Sequence, residues 1–352
     1  MPQIILNLYG LTEDTVEIKP FGTGLINHTW AITTGDKKFI LQRINHNIFK
    51  HPSDIAANIR MIGDYLSQHY PDYLFVTAEK TLLKDDIVFE VQKGYFRMFP
   101  FVKGSHTIDV VSTPSQAYEA AKQFGRFTKL LSGFPAEQLR ITLPDFHNLP
   151  LRYQQFETAI NNGNKERIAA AADTISFLQQ HRSIVTVSEA IPNSPAFKKR
   201  VTHHDTKISN VLFDDHDKGL CVIDLDTVMP GYFISDVGDM LRTYLSPVSE
   251  EETDFSKIKI REDYFKAIAE GYLSEMNQEL STEEKAHFVY AGKFMIYMQA
   301  LRFLADYIND DVYYGSKYEG HNFMRAKNQV VLLEKLMEKE EALSKMISAE
   351  FK

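Results

Sequence analysis

The sequence predicts an α+β protein of two unequal parts: a small antiparallel β-sheet lobe containing one helix, followed by a larger, mainly helical lobe. Three observations carry this. Residues up to about 100 are rich in β-branched and aromatic runs separated by turn signals. From about residue 104 long stretches of helical periodicity replace them. The only later strand-like runs are short and lie between Lys199 and Asp226. The division falls between residues 1–103 and 104–352, with a hinge at about 96–103 in FRMFPFVKG.

In the first lobe, TVEIKPFGTG, HTWAITTGDKKFILQRI and YLFVTAEKTLLKDDIVFEVQKGYFRMFPFV read as strands of a meander. TTGDKK has the Gly-Asp chemistry of a hairpin turn, and KDD and QKG read as two further turns. One helix interrupts them, HPSDIAANIRMIGDYLSQHY, with Ser53 as expected cap and Ile55, Ile59, Ile62 and Leu66 as its apolar stripe. The second lobe opens at TPSQAYEAAKQFGRFTKLL, where Thr113 is placed to cap and Pro114 takes the first helical position. Helical periodicity returns in RYQQFETAINN, ERIAAAADTISFLQQH, REDYFKAIAEGYLSEM, TEEKAHFVYAGKFMIYMQALRFLADYI and a terminal segment over about 322–348. KRVTHHD, SNVLFDD and LCVIDLD are the short strands. No internal repeat or low-complexity linker divides the chain.

Composition limits the partners. With 352 residues, 44% hydrophobic and 24% charged, the chain can bury a sizeable core. A formal charge of −8 gives no basic surplus for nucleic acid or an anionic membrane, so a small-molecule ligand is expected. The single cysteine, Cys221, sits in an apolar run and has no intrachain partner, which fits a reducing compartment. The first residues lack a basic, then apolar, leader, and no stretch approaches membrane-spanning length; a cytoplasmic monomer or small homo-oligomer is expected.

The densest chemistry is HHDTKISN, residues 203 to 210. As a metal site it is poorly spaced, because adjacent His203 and His204 on an extended strand point to opposite faces. As a polar surface turn it is unremarked. As a catalytic loop, His203-x-Asp205-x-Lys207-x-x-Asn210 has the spacing of the kinase H-R-D-L-x-x-x-N loop, and Asp224 ends an apolar strand at the distance expected of a second metal-binding aspartate. Phosphoryl transfer needs these types: a carboxylate (Asp205) to orient a hydroxyl and take its proton, and hard oxygens (Asn210, Asp224) for Mg²⁺. Lys207 offers a further positive charge to the transferring group, and His203 reads as packing beneath the loop. No G-x-x-x-x-G-K-[ST] occurs, so the phosphates of ATP would meet another element, for which Gly22-Thr23-Gly24 offers backbone N–H groups or, equally, an ordinary tight turn. His28 and Trp30 nearby read as strand packing.

RVTHHDTKISNVLFD, VIDLDTVMPG, SDVGDMLR and MQALRFLADYINDDVYY, with FGTGLIN, FILQRIN and KYEGHN, together resemble the aminoglycoside phosphotransferase and choline kinase superfamily, and within it the N-acetylhexosamine 1-kinases. The resemblance implies a bilobal protein-kinase-like fold, ATP and Mg²⁺, and phosphorylation of the anomeric hydroxyl of N-acetylglucosamine or N-acetylgalactosamine. It also implies Asp205 as base, Asn210 and Asp224 as metal ligands, and Asp236 as brace of the catalytic loop. Arg302 and Tyr313 would contribute to the sugar pocket, and ATP would lie between the lobes with its adenine against the hinge at Phe99 and Phe101. A structural reading pairs Arg302 with Asp306 one helical turn on. One departure stands out: FILQRIN offers Gln42 and Arg43 where kinases carry a lysine, and the first-lobe helix has no glutamate to pair with it. Arg43 is the candidate phosphate cation, alternation leaving open which of the two faces the cleft. Two alternatives remain: a kinase for an amino sugar, amino alcohol or aminoglycoside, which an acidic acceptor pocket would mark, and a nucleotide-binding pseudokinase serving as an interaction module.

Overall fold

A computed structural model of the chain describes residues 3–22 and 26–350. The first part is a five-stranded antiparallel sheet in the order β1-β2-β3-β5-β4: β1 (Glu17–Pro20), β2 (His28–Thr34), β3 (Lys37–Ile44), β4 (Val88–Glu90) and β5 (Gly94–Pro100). β2 and β3 close through Gly35-Asp36, with Gly35 at φ 54°, as the turn chemistry of TTGDKK predicts. One face of the sheet buries Ile32, Leu41, Phe96 and Met98 against a short N-terminal helix, α1 (Gln3–Leu8), through Ile5 and Leu6. The sequence reading missed that helix. It is only six residues long, too short for periodicity to register, and packing rather than propensity holds it.

Two local expectations are corrected here. YLFVTAEK forms no strand; the chain from Leu74 to Ile87 is irregular, tied to β5 by the Glu79 N–H on the Met98 carbonyl and turned at Thr81, whose hydroxyl accepts from the Leu83 and Asp85 backbone N–H groups. Ser53 does not cap α2 (Pro52–His69): the N-cap is His51 and Pro52 occupies the first helical turn, so Ser53 lies within the helix. The stripe Ile55, Ile59, Ile62 and Leu66 is buried as expected, but its core is the large lobe's, shared with Phe124 and Phe127. Asn58, fully buried on the same helix, donates to the carbonyls of Arg140 and Val228.

The second part holds α3 (Pro114–Leu130), α4 (Leu149–Asn162), α5 (Lys165–Ala170), α6 (Ala172–Gln180), α7 (Ser183–Ala190), α8 (Phe233–Tyr244), α9 (Glu262–Met276), α10 (Thr282–Ala286), α11 (Phe288–Ile308) and α12 (His321–Glu350). Thr113 caps α3, its hydroxyl accepting from the Gln116 N–H. α11 is apolar on nearly every face and is buried along its length, which makes it the axis of this lobe. Two short ribbons carry the chemistry: β6 (Arg200–Thr202) with β9 (Met229–Gly231), and β7 (Val211–Phe213) with β8 (Gly219–Val222). β9 went unread because MPG carries neither alternation nor β-branched residues. No helix among the described residues is long and apolar enough to cross a membrane.

Candidate active site

The loop between β6 and β7 holds Asp205, Lys207 and Asn210, and Asp224 lies two residues beyond β8. Pairing of β7 with β8 brings the two segments together, because the Ile223 N–H donates to the Asn210 carbonyl at 2.9 Å. His203 adds a second tie. Its Nε2 lies 2.9 Å from the Ile223 carbonyl and its Nδ1 accepts weakly from the Asp205 N–H, which assigns the neutral Nε2–H tautomer. The ring is fully buried edge-on against Phe124 and Phe127, and burial lowers its pKa. His203 is thus a structural joint between the two motifs.

The loop backbone is held from α8. Asp236, buried, accepts from the His203 N–H at 3.0 Å and the His204 N–H at 2.7 Å, the latter residue being in the left-handed region at φ 66°. Burial pushes the Asp236 carboxyl up to about 7 while those two donors pull it down. Asp239 accepts from the Thr206 N–H, the Thr206 hydroxyl donates to the Asp236 carbonyl, and the Tyr244 hydroxyl donates to the Thr206 carbonyl. Sequence reasoning found Asp236 through resemblance and missed Asp239 and Tyr244. Their spacing from Asp236, three and eight residues on along one face of SDVGDMLRTY, was the available signal.

Asp205, unlike the fully buried Asp236, keeps part of its side chain exposed, and Lys207 is its ionic partner. Lys207 Nζ sits 2.9 Å from its Oδ1, and the Asn210 Nδ2 donates to its Oδ2 at 3.1 Å and its carbonyl at 2.8 Å. Burial raises the Asp205 pKa, but Lys207, His203 and Asn210 more than offset this and leave it below the ordinary carboxylate value. It is therefore ionised at neutral pH and able to accept from a hydroxyl. With its nitrogen committed to Asp205, Asn210 has its amide oxygen free for a cation.

Asp224 stands in the left-handed region, φ 59° and ψ 60°. The residue is exposed at the surface, and desolvation by neighbouring protein, then the charges of Asp226 and Asp205, push its carboxyl up to about 7. A carboxylate raised by its own kind is one that a cation would relieve. Among the described residues no three His, Cys, Asp or Glu side chains converge as a closed metal cage. The donor set is an amide and a carboxylate oxygen, which suits Mg²⁺, an ion that keeps waters and takes phosphate oxygens as ligands.

On the sheet, alternation settles the Gln42–Arg43 question. Arg43 lies opposite Phe96 and shares the face of Leu41 that packs toward α1, so it does not present a cation to the cleft; the expectation for Arg43 is corrected. Gln42 takes the other face, opposite Arg97, a buried cation that the sequence reading did not single out. The hinge is corrected in part as well: Phe96 is buried in the sheet core, while Phe99 and Phe101 are half-buried at its end. Phe99 lies 5.0 Å from the Arg97 guanidinium, and Phe101 carries Lys38 over its ring and meets Phe21 edge-on. Of the glycine turn, Gly22 has φ 77°, and Thr23 and Gly24 lie outside the described residues. His28 and Trp30 stack on each other on β2.

Arg302 and Tyr313 do come together. They line an open cavity of about 460 Å³ between α4, α11 and the segment after α11, with Arg152, Gln155 and Tyr314. The alternative pairing of Arg302 with Asp306 is not made. Asp306 is buried and saturated by the Tyr313 and Tyr314 N–H groups and Asn322 Nδ2, whereas Arg302 contacts Gln299 and the two tyrosine rings. His147, also unforeseen, packs beside the catalytic loop. Its ring lies 5.3 Å from that of His204, and burial, with the charges of His204, Arg302, Arg242 and Arg152, keeps it neutral.

The family model for a phosphotransferase enzyme family matches residues 17–273. Among solved structures, an aminoglycoside phosphotransferase from Alicyclobacillus acidocaldarius is 12% identical with a TM-score of 0.61, covering 99% of this chain and 97% of its own. An amicoumacin kinase in complex with AMP-PNP, Ca²⁺ and Ami is 14% identical with a TM-score of 0.63, covering 95% and 93%. A choline kinase from Cryptosporidium parvum Iowa II is 13% identical with a TM-score of 0.57, covering 99% and 98%. The similarity is one of fold, a sheet lobe and a larger helical lobe of the protein-kinase-like type.

Proposed function

The chain belongs to the phosphotransferase enzyme family, and from that premise we propose that it moves the γ-phosphoryl group of ATP, with Mg²⁺, onto the anomeric hydroxyl of an N-acetylhexosamine. In this reading residues up to about 103 form the nucleotide-binding lobe and the remainder carries the catalytic loop and acceptor pocket. The observation that favours a sugar over the cationic acceptors is the charge of the acceptor cavity. Two arginines, Arg152 and Arg302, line it, and the carboxylate among its walls, Asp306, is already saturated by three donors. Choline, amino alcohols and aminoglycosides would meet positive charge there. A neutral polyol with an acetamido group meets arginine and amide donors and tyrosine rings, the side chains that bind sugar hydroxyls and stack on sugar faces.

Asp205, held ionised, orients the anomeric hydroxyl and accepts its proton as the oxygen bonds to phosphorus and the bond to the ADP oxygen breaks. Lys207 stands beside that carboxylate and offers charge to the transferring group. Asn210 and Asp224 would hold Mg²⁺, which when bound would neutralise phosphate charge. Asp236, Asp239 and Tyr244 keep the loop backbone in place, so positioning and charge rather than a covalent enzyme intermediate lower the barrier.

The test is a Mg²⁺-dependent ADP-release assay over N-acetylglucosamine, N-acetylgalactosamine, glucose, galactose, choline and kanamycin, with products read by phosphorus NMR. Phosphate on the anomeric carbon of an N-acetylhexosamine is the expected result, and Arg302→Ala should raise the sugar KM far more than the ATP KM. Preferential turnover of choline or kanamycin would overturn the substrate assignment and leave the family chemistry standing. Failure of every acceptor on the panel to stimulate ADP release, against firm ATP binding, would favour the interaction-module alternative.

A further inference from the structure

We infer that Arg97, on β5, is the cation that binds the nucleotide phosphates, in the place that the missing β3 lysine would fill, and that Asp226 is the carboxylate that holds it ready. The inference deepens the reading above and rests on its ATP-binding part alone.

The cation has moved sideways by one strand. Gln42 and Arg97 are directly opposed in the β3–β5 register, on the face of the sheet away from α1. Gln42 Oε1 accepts from Arg97 Nε at 3.1 Å and Nη2 at 2.9 Å, so the glutamine steers the guanidinium rather than replacing it. Cross-strand neighbours on one face have Cβ atoms ~5 Å apart, a gap the longer arginine covers easily. A phosphate that a lysine at 42 could reach is therefore within reach of Arg97.

The counter-ion has moved too. α2 carries no glutamate; it presents Ala56, Ile59, Arg60 and Asp64 to a cavity of about 100 Å³ that Arg97 also borders, and the ion pair of Arg97 is made with Asp226 rather than with Asp64. The carboxylate comes instead from the segment after Asp224. Asp226 Oδ1 lies 2.5 Å from Arg97 Nη2 as an ion pair outside hydrogen-bond geometry, with both side chains about 3% exposed, and Asn27 Nδ2 donates to the second oxygen at 2.8 Å. Asn27 immediately precedes β2, on the chain that follows the glycine turn. Arg97 is thereby fixed among the glycine-turn strand, the sheet and the loop of the metal-ligand candidate, with Phe99 of the hinge on its other side.

One guanidinium nitrogen has no partner. Arg97 is 2% exposed and its Nη1 makes no hydrogen bond among the described residues. A buried charged donor left unpaired is costly, and such groups in native folds mark a place where a ligand completes the set. Phosphate oxygens next to Asp224 would supply that partner. Arginine suits the task because its planar fork can keep Gln42 and Asp226 on one edge and offer the other.

The test separates phosphate binding from nucleoside binding in the whole protein, without any acceptor. Dissociation constants are measured calorimetrically for ADP, AMP-PNP and adenosine with Mg²⁺. In Arg97→Met the two phosphorylated ligands should weaken roughly tenfold or more and adenosine by less than about twofold. In Gln42→Lys/Arg97→Met, the cation having returned to β3, most of that loss should be recovered. Should Arg97→Met fail to fold, the wild type decides. The Arg97 side-chain Nε–H resonance, assigned by its disappearance in Arg97→Lys, should shift on adding ADP and not on adding adenosine. Equal weakening of ADP and adenosine, no recovery in the double variant, or an Nε–H resonance indifferent to ADP would each overturn the inference and make Arg97 a clasp between the lobes. None of these readings depends on which sugar, if any, is phosphorylated.

Discussion

Replacing Asn58 with leucine should cost the protein several kcal/mol although no charge and almost no volume is lost. Asn58 is fully buried on α2 and makes three hydrogen bonds to main chain far away in sequence: Nδ2 to the Arg140 carbonyl at 2.9 Å and the Val228 carbonyl at 3.1 Å, and Oδ1 from the Arg140 N–H at 2.8 Å. Leucine keeps the size and removes all three. The Val228 carbonyl is buried and loses its side-chain partner, at about 1–3 kcal/mol. The two Arg140 groups lie at a partly hydrated edge, and counting each at about half that penalty brings the sum to roughly 2–6 kcal/mol. The assay is urea unfolding followed by far-UV circular dichroism and by fluorescence of Trp30, the single tryptophan. A lower midpoint at unchanged slope is expected. A loss under about 1 kcal/mol would refute the reasoning, because it would mean that the orphaned backbone groups find other partners at no cost. Val228 lies four residues beyond Asp224, so the same variant should also weaken nucleotide binding.

Asp205→Asn should lower kcat by about 10²–10⁴ with nucleotide affinity nearly unchanged, since the amide keeps the shape but cannot take the proton; steady-state kinetics with an unchanged kcat would remove Asp205 from its role. Gly271→Ala should destabilise by roughly 1–3 kcal/mol or more, because the added Cβ would run into the Tyr118 backbone carbonyl where α9 crosses α3; thermal melting at the wild-type temperature would contradict that contact. His204 is pushed by burial from 6.5 down to about 4. Its folded-state pKa lies below the unfolded one, so the neutral ring's contribution is whole above pH 6.5 and is lost as pH falls toward 4, at most roughly 3 kcal/mol. Asp236, raised to about 7, works in the opposite direction over part of that range, so the comparison must be differential. His204→Gln should show a flatter fall in stability between pH 6.5 and 4 than the wild type, and parallel curves would count against a buried neutral His204.

Much of this protein was legible in its sequence because the signals are local. Strand alternation and helical periodicity fixed the two lobes and nearly every long element, Gly35-Asp36 and Thr113-Pro114 announced their turn and cap, and the spacing of Asp205, Asn210 and Asp224 announced the loop and the hairpin that joins them. Elements failed to register where locality fails: α1 is too short, β9 too atypical, and the Ser53 cap lost to a proline that had already claimed the first turn. The tertiary structure alone decided that Arg97 on β5 meets Gln42 and Asp226, that α2 packs with the large lobe, and that Arg152 and Arg302 line one cavity. Gln42 meets Arg97 across 55 residues, Asn27 meets Asp226 across 199, and Arg152 joins Arg302 from a different helix. Such pairings leave no period or spacing in the chain. They exist because a buried charge must find a partner somewhere in the folded interior, and only the packing of distant elements determines which partner is near.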